Sequence, residues 1–203
     1  MLLLNNTLVP TATLSLPNRG LSFGDGFFET LIFINSRLRL AADHCARMQQ
    51  AATALHLKLP AALAKADALE THSIHSPLSF CKGPQAWIYV RAAHERQRRG
   101  LDEIILCDAA GHVAEAGAAA IFWERNGVLF TPALSSGCVA GVRRAQVLRA
   151  TRAAGVECRE GLFTREELLA ADAIFTANVA SIRPMLSVAT TAFRTTIPDF
   201  IEN

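Results

Sequence analysis

The spacing of apolar positions changes several times along the chain, and each change predicts an element. Leu2-Leu3-Leu4 is an apolar trio that turns at Asn5-Asn6 into residues 7–16, an alternating stretch interrupted by Pro10 and followed by Pro17. The Gly24-Asp25-Gly26 turn enters a β-rich run ending at Ile34. Asn35-Ser36 then turns the chain into residues 37–40, whose period is two. From Ala42 to Leu57 the apolar residues recur at helical spacing, with Asp43 as the expected N-cap. A second helical piece covers residues 61–69. The polar, turn-rich residues 71–77 read as a domain boundary, which divides the chain into residues 1–78 and 79–203.

The second half alternates more regularly. Residues 87–99 form a helical pattern that closes on Gly100, a suitable C′ residue. Residues 104–107 read as a buried-type strand, residues 108–111 as a turn, and residues 112–115 as the returning strand, with Glu115 as its last residue. Residues 119–124 and 128–131 flank Asn126-Gly127, a strong hairpin signal. The glycine-bounded loop 137–141 feeds a helix over 142–154 that Gly155 ends. Thr164-Arg-Glu-Glu167 is a capping box for a short helix. Residues 173–176 are a last apolar strand, followed by Ala177-Asn178. The expected class is α+β.

Composition narrows the function classes. The 203 residues are 51% hydrophobic, enough for one large domain or two small ones sharing an interface. A net charge of +2 carries no polyanion signal. The arginines of 96–99 and 143–144 have acidic residues near them, and no aromatic residues interleave with basic ones, so nucleic acid is not an expected partner. Cys45, Cys81, Cys107, Cys138 and Cys158 are odd in number and widely spaced, without metal-ligand spacing. Free thiols in a reducing compartment, hence a cytoplasmic protein with no metal, are expected. The apolar start lacks a basic n-region, and no apolar run reaches membrane-spanning length.

Four features carry chemistry. The chain has only three lysines, and Lys82 differs from Lys58 and Lys65 in its setting: an apolar approach, Leu78-Ser-Phe-Cys81, and a Gly83-Pro84 break. A lysine held against apolar surface is a candidate nucleophile or base of the kind Schiff-base chemistry uses. Glu115 precedes Ala-Gly-Ala-Ala-Ala120, small surroundings in which a carboxylate is costly without a cationic or protonated partner; it also reads as an ordinary hairpin glutamate. Gly137-Cys-Val-Ala-Gly-Val-Arg-Arg144 places glycines just before a helix start, where free backbone N–H groups bind phosphate, although an ordinary loop-to-helix join has the same look. Phe175-Thr-Ala-Asn178 puts small polar residues at a strand end, where they could complete a phosphate cup.

These stretches stand in a known order. Arg19-Gly-Leu-Ser-Phe-Gly-Asp-Gly-Phe-Phe-Glu-Thr30, His44-Cys-Ala-Arg47, Ser79-Phe-Cys-Lys82, Arg99-Gly-Leu-Asp-Glu-Ile104, Gly111-His-Val-Ala-Glu115, Ile121-Phe122, Gly127-Val-Leu-Phe-Thr-Pro132, Gly137–Arg144 and Ala171-Asp-Ala-Ile-Phe175 together resemble the class IV aminotransferase family, the fold-type IV enzymes dependent on pyridoxal 5'-phosphate. The resemblance covers most of the chain and is nearest to 4-amino-4-deoxychorismate lyase. It implies a small N-terminal α/β domain, shortened here between Arg47 and Lys82, and a larger β-barrel-like domain with flanking helices. By position, Lys82 would be the Schiff-base lysine and catalytic base, and Glu115 would pair with the cofactor's ring nitrogen. Arg47, the backbone of Val142 and Arg143, and Asn178, where relatives have threonine, would hold the phosphate. Gln85 and Ala86 stand where aminotransferases often have Asn-Tyr, so a tyrosine contact is missing there, and Tyr89 reads as packing. The implied reaction forms 4-aminobenzoate and pyruvate for folate synthesis, in a homodimer acting on a small-molecule amine or amino acid. An aminotransferase of branched-chain or D-amino acids and a shortened non-catalytic relative are the alternatives.

Overall fold

The computed structural model describes residues 2–4, 7–13, 20, 24, 26–35, 37–57, 82–83 and 87–201. In chain order its elements are β1 (Leu2–Leu4), β2 (Thr7–Val9), β3 (Phe33–Ile34), β4 (Arg37–Leu38), α1 (Ala41–Ala54), α2 (Trp87–Arg98), β5 (Ile105–Cys107), β6 (Val113–Ala116), β7 (Ala120–Arg125) and β8 (Val128–Pro132). A 3-10 turn at Leu134–Ser136 follows, then α3 (Val142–Ala153), β9 (Cys158–Gly161), α4 (Arg165–Leu169), β10 (Ala173–Ala177), β11 (Ile182–Met185), β12 (Ser187–Val188) and β13 (Thr191–Ala192). The helix expected over 61–69, the boundary at 71–77, and Lys58, Lys65, Cys81, Gln85 and Ala86 lie outside the described residues.

The hairpin at Asn126-Gly127 organises the larger part. Both residues take positive φ, 52° and 75°, the pair a two-residue I′ turn needs. The turn registers Trp123 opposite Phe130 and Arg125 opposite Val128. Around it stands a five-stranded sheet in the order β11-β10-β7-β8-β9. β8 and β9 are parallel, and α3 lies in the crossover between them. Pro184 falls on the edge strand β11, where a missing N–H costs no ladder bond.

Both faces of this sheet are covered, which is why β7 and β10 read as near-continuous apolar runs. Phe122, Leu129, Phe175 and Ala177 pack with Val147 of α3 on one face; the Phe122 and Phe175 rings stack with centroids 5.3 Å apart. Ile121, Trp123 and Ile174 pack with Val113 and Leu168 on the other, where Phe163 meets Trp123 edge-on at 5.1 Å. The β5–β6 ribbon curls over this second face. The Val113 N–H donates to the Phe163 carbonyl at 2.8 Å, and Ala116 bridges to Ala119 just before β7. The result is the layered body of helices and sheets that fixes Glu115.

Thr131 is fully buried and its Oγ1 donates to the Ile121 carbonyl at 2.9 Å, tying β8 to β7. Thr131→Val should lower stability by about 1 kcal/mol, a fall of roughly 2–4 °C in melting temperature measured by circular dichroism.

Four expectations are corrected in detail. The run before Ile34 is strand only at Phe33–Ile34; residues 27–32 are irregular, because their polar groups serve other partners. The Phe28 N–H donates to the Lys82 carbonyl at 2.9 Å instead of to a ladder. Helix α1 is capped at Leu40, with φ 54° and no side-chain cap bond, and not at Asp43. Asp43 lies in the first turn, favourable to the helix dipole, and takes a bidentate pair from Arg149 of α3 at 2.7 and 2.9 Å. The β5 strand is half-buried, with Cys107 exposed, since the ribbon covers the sheet from outside. Residues 173–176, read as the last strand, are followed by three more, β11 to β13. Two helix ends match the structure: Gly100 and Gly155 close their helices with φ 63° and 67°. Thr164 and Glu167 make both bonds of the capping box.

Candidate active site

Glu115 is the anchor of the site. It is the third of four residues in β6, one short of the strand end, and only 6% exposed. The turn after it is tight. A Cβ on Gly117 would come within 2.9 Å of a Glu103 carboxylate oxygen and 3.2 Å of Ile104, so the small residues there hold the β6–β7 connection close to β5. Burial pushes the Glu115 carboxyl above its ordinary range; a hydrogen bond from the Tyr89 hydroxyl, the Val139 N–H and the Lys82 charge work against it. The Val139 N–H donates to Oε2 at 3.3 Å, and the Tyr89 hydroxyl donates to Oε1. Burial first, then the Glu115 charge, push the Tyr89 phenol far up, so it remains protonated and a donor. Lys82 is half-buried, and its Nζ lies 5.5 Å from the Phe28 ring centroid, a cation–π contact.

The other side of the candidate site is built from α3 and α1. Gly141 is the N-cap of α3 and offers no side-chain cap bond, so the first-turn amides of Val142 and Arg143 have no intrahelical acceptor. Arg47 of α1 is 9% exposed and reaches this helix start: its Nη1 donates to the Ala140 carbonyl at 3.4 Å. Its opposite edge is clamped by Glu29, with Nε to Oε1 at 2.6 Å and Nη2 to Oε2 at 2.5 Å. His44 Nδ1 adds a bond to Glu29 Oε2 at 2.7 Å. Burial would raise the Glu29 carboxyl, but the bonds and charges of Arg47 and His44 outweigh it and hold the group below its ordinary value. Arg143 Nε donates to the Asn178 carbonyl at 3.1 Å, joining α3 to the end of β10. The Asn178 side chain ties its own turn, accepting from the Ala180 and Ser181 N–H groups at 3.0 and 3.1 Å and donating to the Ala118 carbonyl at 3.3 Å.

The two sides meet through two short segments. Val139 and Ala140, neighbours in the loop before α3, touch Glu115 and Arg47 respectively. Phe28 and Glu29, also neighbours, hold Lys82 and Arg47. Of the residues chosen from sequence, Lys82, Arg47 and Glu115 are linked through these two segments, Arg143 is bonded to Asn178, and Val142 joins them only as the neighbour of Arg143 in the first turn of α3. Three further members were not singled out in the sequence. Tyr89, read as packing, is a hydrogen-bond donor to Glu115; its signal is that it is the chain's only tyrosine, on the helix just after Lys82. Glu29 and His44, a carboxylate and an imidazole 15 positions apart, are paired only by the fold.

The sequence profile of the family described as amino-transferase class IV matches residues 63–189, and the chain belongs to this family. The branched-chain-amino-acid aminotransferase of Escherichia coli (strain K12) is 35% identical over 95 residues, 46% of this chain and 31% of that protein. The chain therefore spans about a third of the length of the curated relatives it matches. The 4-amino-4-deoxychorismate lyase of Pseudomonas aeruginosa superposes with a TM-score of 0.80 at 23% identity, covering 93% of this chain and 92% of that one. A hypothetical aminotransferase from Mycobacterium tuberculosis, in a pyridoxal-phosphate-bound form, superposes with a TM-score of 0.79 at 16% identity, over 93% and 90% of the two chains. At these identities the likeness is one of fold. Among the described residues no helix is long and apolar enough to cross a membrane.

Proposed function

We propose that this chain is an enzyme dependent on pyridoxal 5'-phosphate that carries out the 4-amino-4-deoxychorismate lyase reaction, forming 4-aminobenzoate and pyruvate for folate synthesis. The observation that carries the reading is the linked set Lys82, Glu115 and Arg47 at the start of α3. The donor types fit the cofactor. An amine suits its aldehyde. A buried carboxylate whose ionisation burial opposes gains from a cationic N–H partner. A helix start without a side-chain cap, beside a guanidinium, suits a phosphate.

In this reading Lys82 is the point of covalent attachment and Glu115 accepts from the ring nitrogen. Arg47, the amides of Val142 and Arg143, and Asn178 hold the phosphate. When bound, the group supplies an electron sink next to the substrate carbon that bears nitrogen. Once the substrate amine has displaced it, the freed Lys82 amine would remove the proton from that carbon, so one residue both anchors and acts as base. Tyr89 and the Val139 amide aim the Glu115 carboxylate and work against its protonation. The segments Ser79-Phe-Cys-Lys82 and 131–141 favour the lyase branch. The protein is further proposed to act in the cytoplasm as a homodimer, with residues 1–78 and 79–203 as its two domains.

A second reading, transamination of a branched-chain amino acid, is favoured by the 35% identity to the aminotransferase noted above. The two differ in their need for an acceptor. Incubation with 4-amino-4-deoxychorismate and no keto acid is expected to release equal amounts of 4-aminobenzoate and pyruvate. Product formation only from branched-chain amino acids, and only with 2-oxoglutarate, would replace the lyase with the aminotransferase.

A further inference from the structure

Glu29 takes no part in the chemistry just described, yet it is the most heavily bonded acid of the site. Its side chain is 6% exposed, and three side-chain donors converge on it. Two come from Arg47, on the edge formed by Nε and Nη2. The third is His44 Nδ1, from a ring that is 1% exposed and whose Nε2 has no hydrogen-bond partner, so Glu29 is the ring's hydrogen-bonded tether. An ionised carboxylate only accepts, so both partners donate to it. A guanidinium has five N–H donors in a rigid plane. Glu29 takes two of them and the Ala140 carbonyl takes one, which leaves the remaining Nη donors of Arg47 beside the start of α3.

From this geometry we infer that Glu29 is a positioning residue. Braced by His44, it fixes the plane of Arg47 so that its outer donors serve a phosphate at the start of α3. The inference rests on the cofactor reading above and deepens it. A carboxylate near an anion site has two opposed effects. Its charge repels the anion, and its hold on the arginine removes the disorder that the anion would otherwise have to quench. The bidentate geometry, with bonds of 2.5 and 2.6 Å, puts orientation ahead of repulsion. Segment placement adds a second consequence. Phe28, the preceding residue, bonds the Lys82 carbonyl through its N–H and faces Nζ with its ring, so one short irregular segment sets both the arginine and the lysine.

The test compares two ligands that differ only in the phosphate. Dissociation constants for pyridoxal 5'-phosphate and for pyridoxal are measured by absorbance titration on the wild-type protein, Glu29→Gln and Glu29→Asp, with melting curves of each unliganded protein. The expected result for Glu29→Gln is a fall of about tenfold in the preference for the phosphorylated ligand, the size seen when the partner that orients a ligand residue is lost. Binding of pyridoxal should change little. Glu29→Asp keeps the charge and should show a smaller fall in the same ratio; it carries the test if Glu29→Gln does not fold. A merely structural role would weaken both ligands together and leave the ratio unchanged. An unchanged ratio in the folded variants, or a ratio that rises because repulsion has been relieved, overturns the inference while wild-type binding leaves the cofactor reading intact. Failure of the wild-type protein to bind either ligand overturns both.

Discussion

Lys82→Met is expected to lower turnover at least about a thousandfold, the loss expected when one residue is both covalent anchor and general base. The melting temperature of the unliganded protein should change by no more than a few degrees. Among the described residues, Lys82 is held by its carbonyl, which accepts from Phe28, and by a cation–π contact at 5.5 Å. The first survives the substitution, and the second is worth about 0.5–1 kcal/mol at an exposed site. Steady-state kinetics together with a melting curve check both halves. Retained turnover would remove Lys82 from the centre of the mechanism, and a collapsed fold would show that its part is structural.

Glu115→Gln should move activity and stability in opposite directions. Activity should fall about a hundredfold or more, because an amide cannot match the charge of a carboxylate facing a protonated ring nitrogen. Stability of the unliganded protein should rise at neutral pH. The sign follows from the direction of the shift. Burial raises the carboxyl of Glu115 in the folded state, so its contribution to stability is fully present below the ordinary carboxylate range and is lost as pH rises through the raised value. At neutral pH the wild-type protein carries that cost and the glutamine variant does not. The difference in melting temperature should shrink on acidification. Glu29 behaves in the opposite sense: its lowered carboxyl adds stability above the ordinary range, and that stability is lost as pH falls. Melting curves of wild type and Glu115→Gln over an acid-to-neutral series separate the two groups. A variant less stable than wild type at neutral pH would contradict the account of Glu115 as a strained acid awaiting a cationic partner.

Local signals in the second half of the chain were legible because they depend on neighbours in sequence. Asn126-Gly127 demands two positive φ values, and Thr164 with Glu167 closes its own helix start, whatever surrounds them. The apolar runs 119–124 and 173–176 could be read as strands for the same reason, and the structure has them at Ala120–Arg125 and Ala173–Ala177. Asp43 misled because a side chain that can cap a helix can equally bond a distant arginine, and Arg149 competes for it. Residues 27–32 misled because their apolar, β-prone composition is outweighed by the bond from Phe28 to Lys82 and by the ion pair of Glu29. The six proposed site residues were drawn from the order of motifs, not from their contacts. Tyr89, Glu29 and His44 escaped because their roles exist only as pairs across 26, 18 and 15 positions, which no local pattern encodes.

Whether Lys82 carries the cofactor is read from a single labelling experiment. The purified protein is mixed with pyridoxal 5'-phosphate, its absorption spectrum is followed, borohydride is added, and the peptides are mapped by mass. The expected result is a new absorption band that borohydride abolishes, with the pyridoxyl mass on the peptide containing Lys82. No band, or label scattered over Lys58 and Lys65, would contradict it.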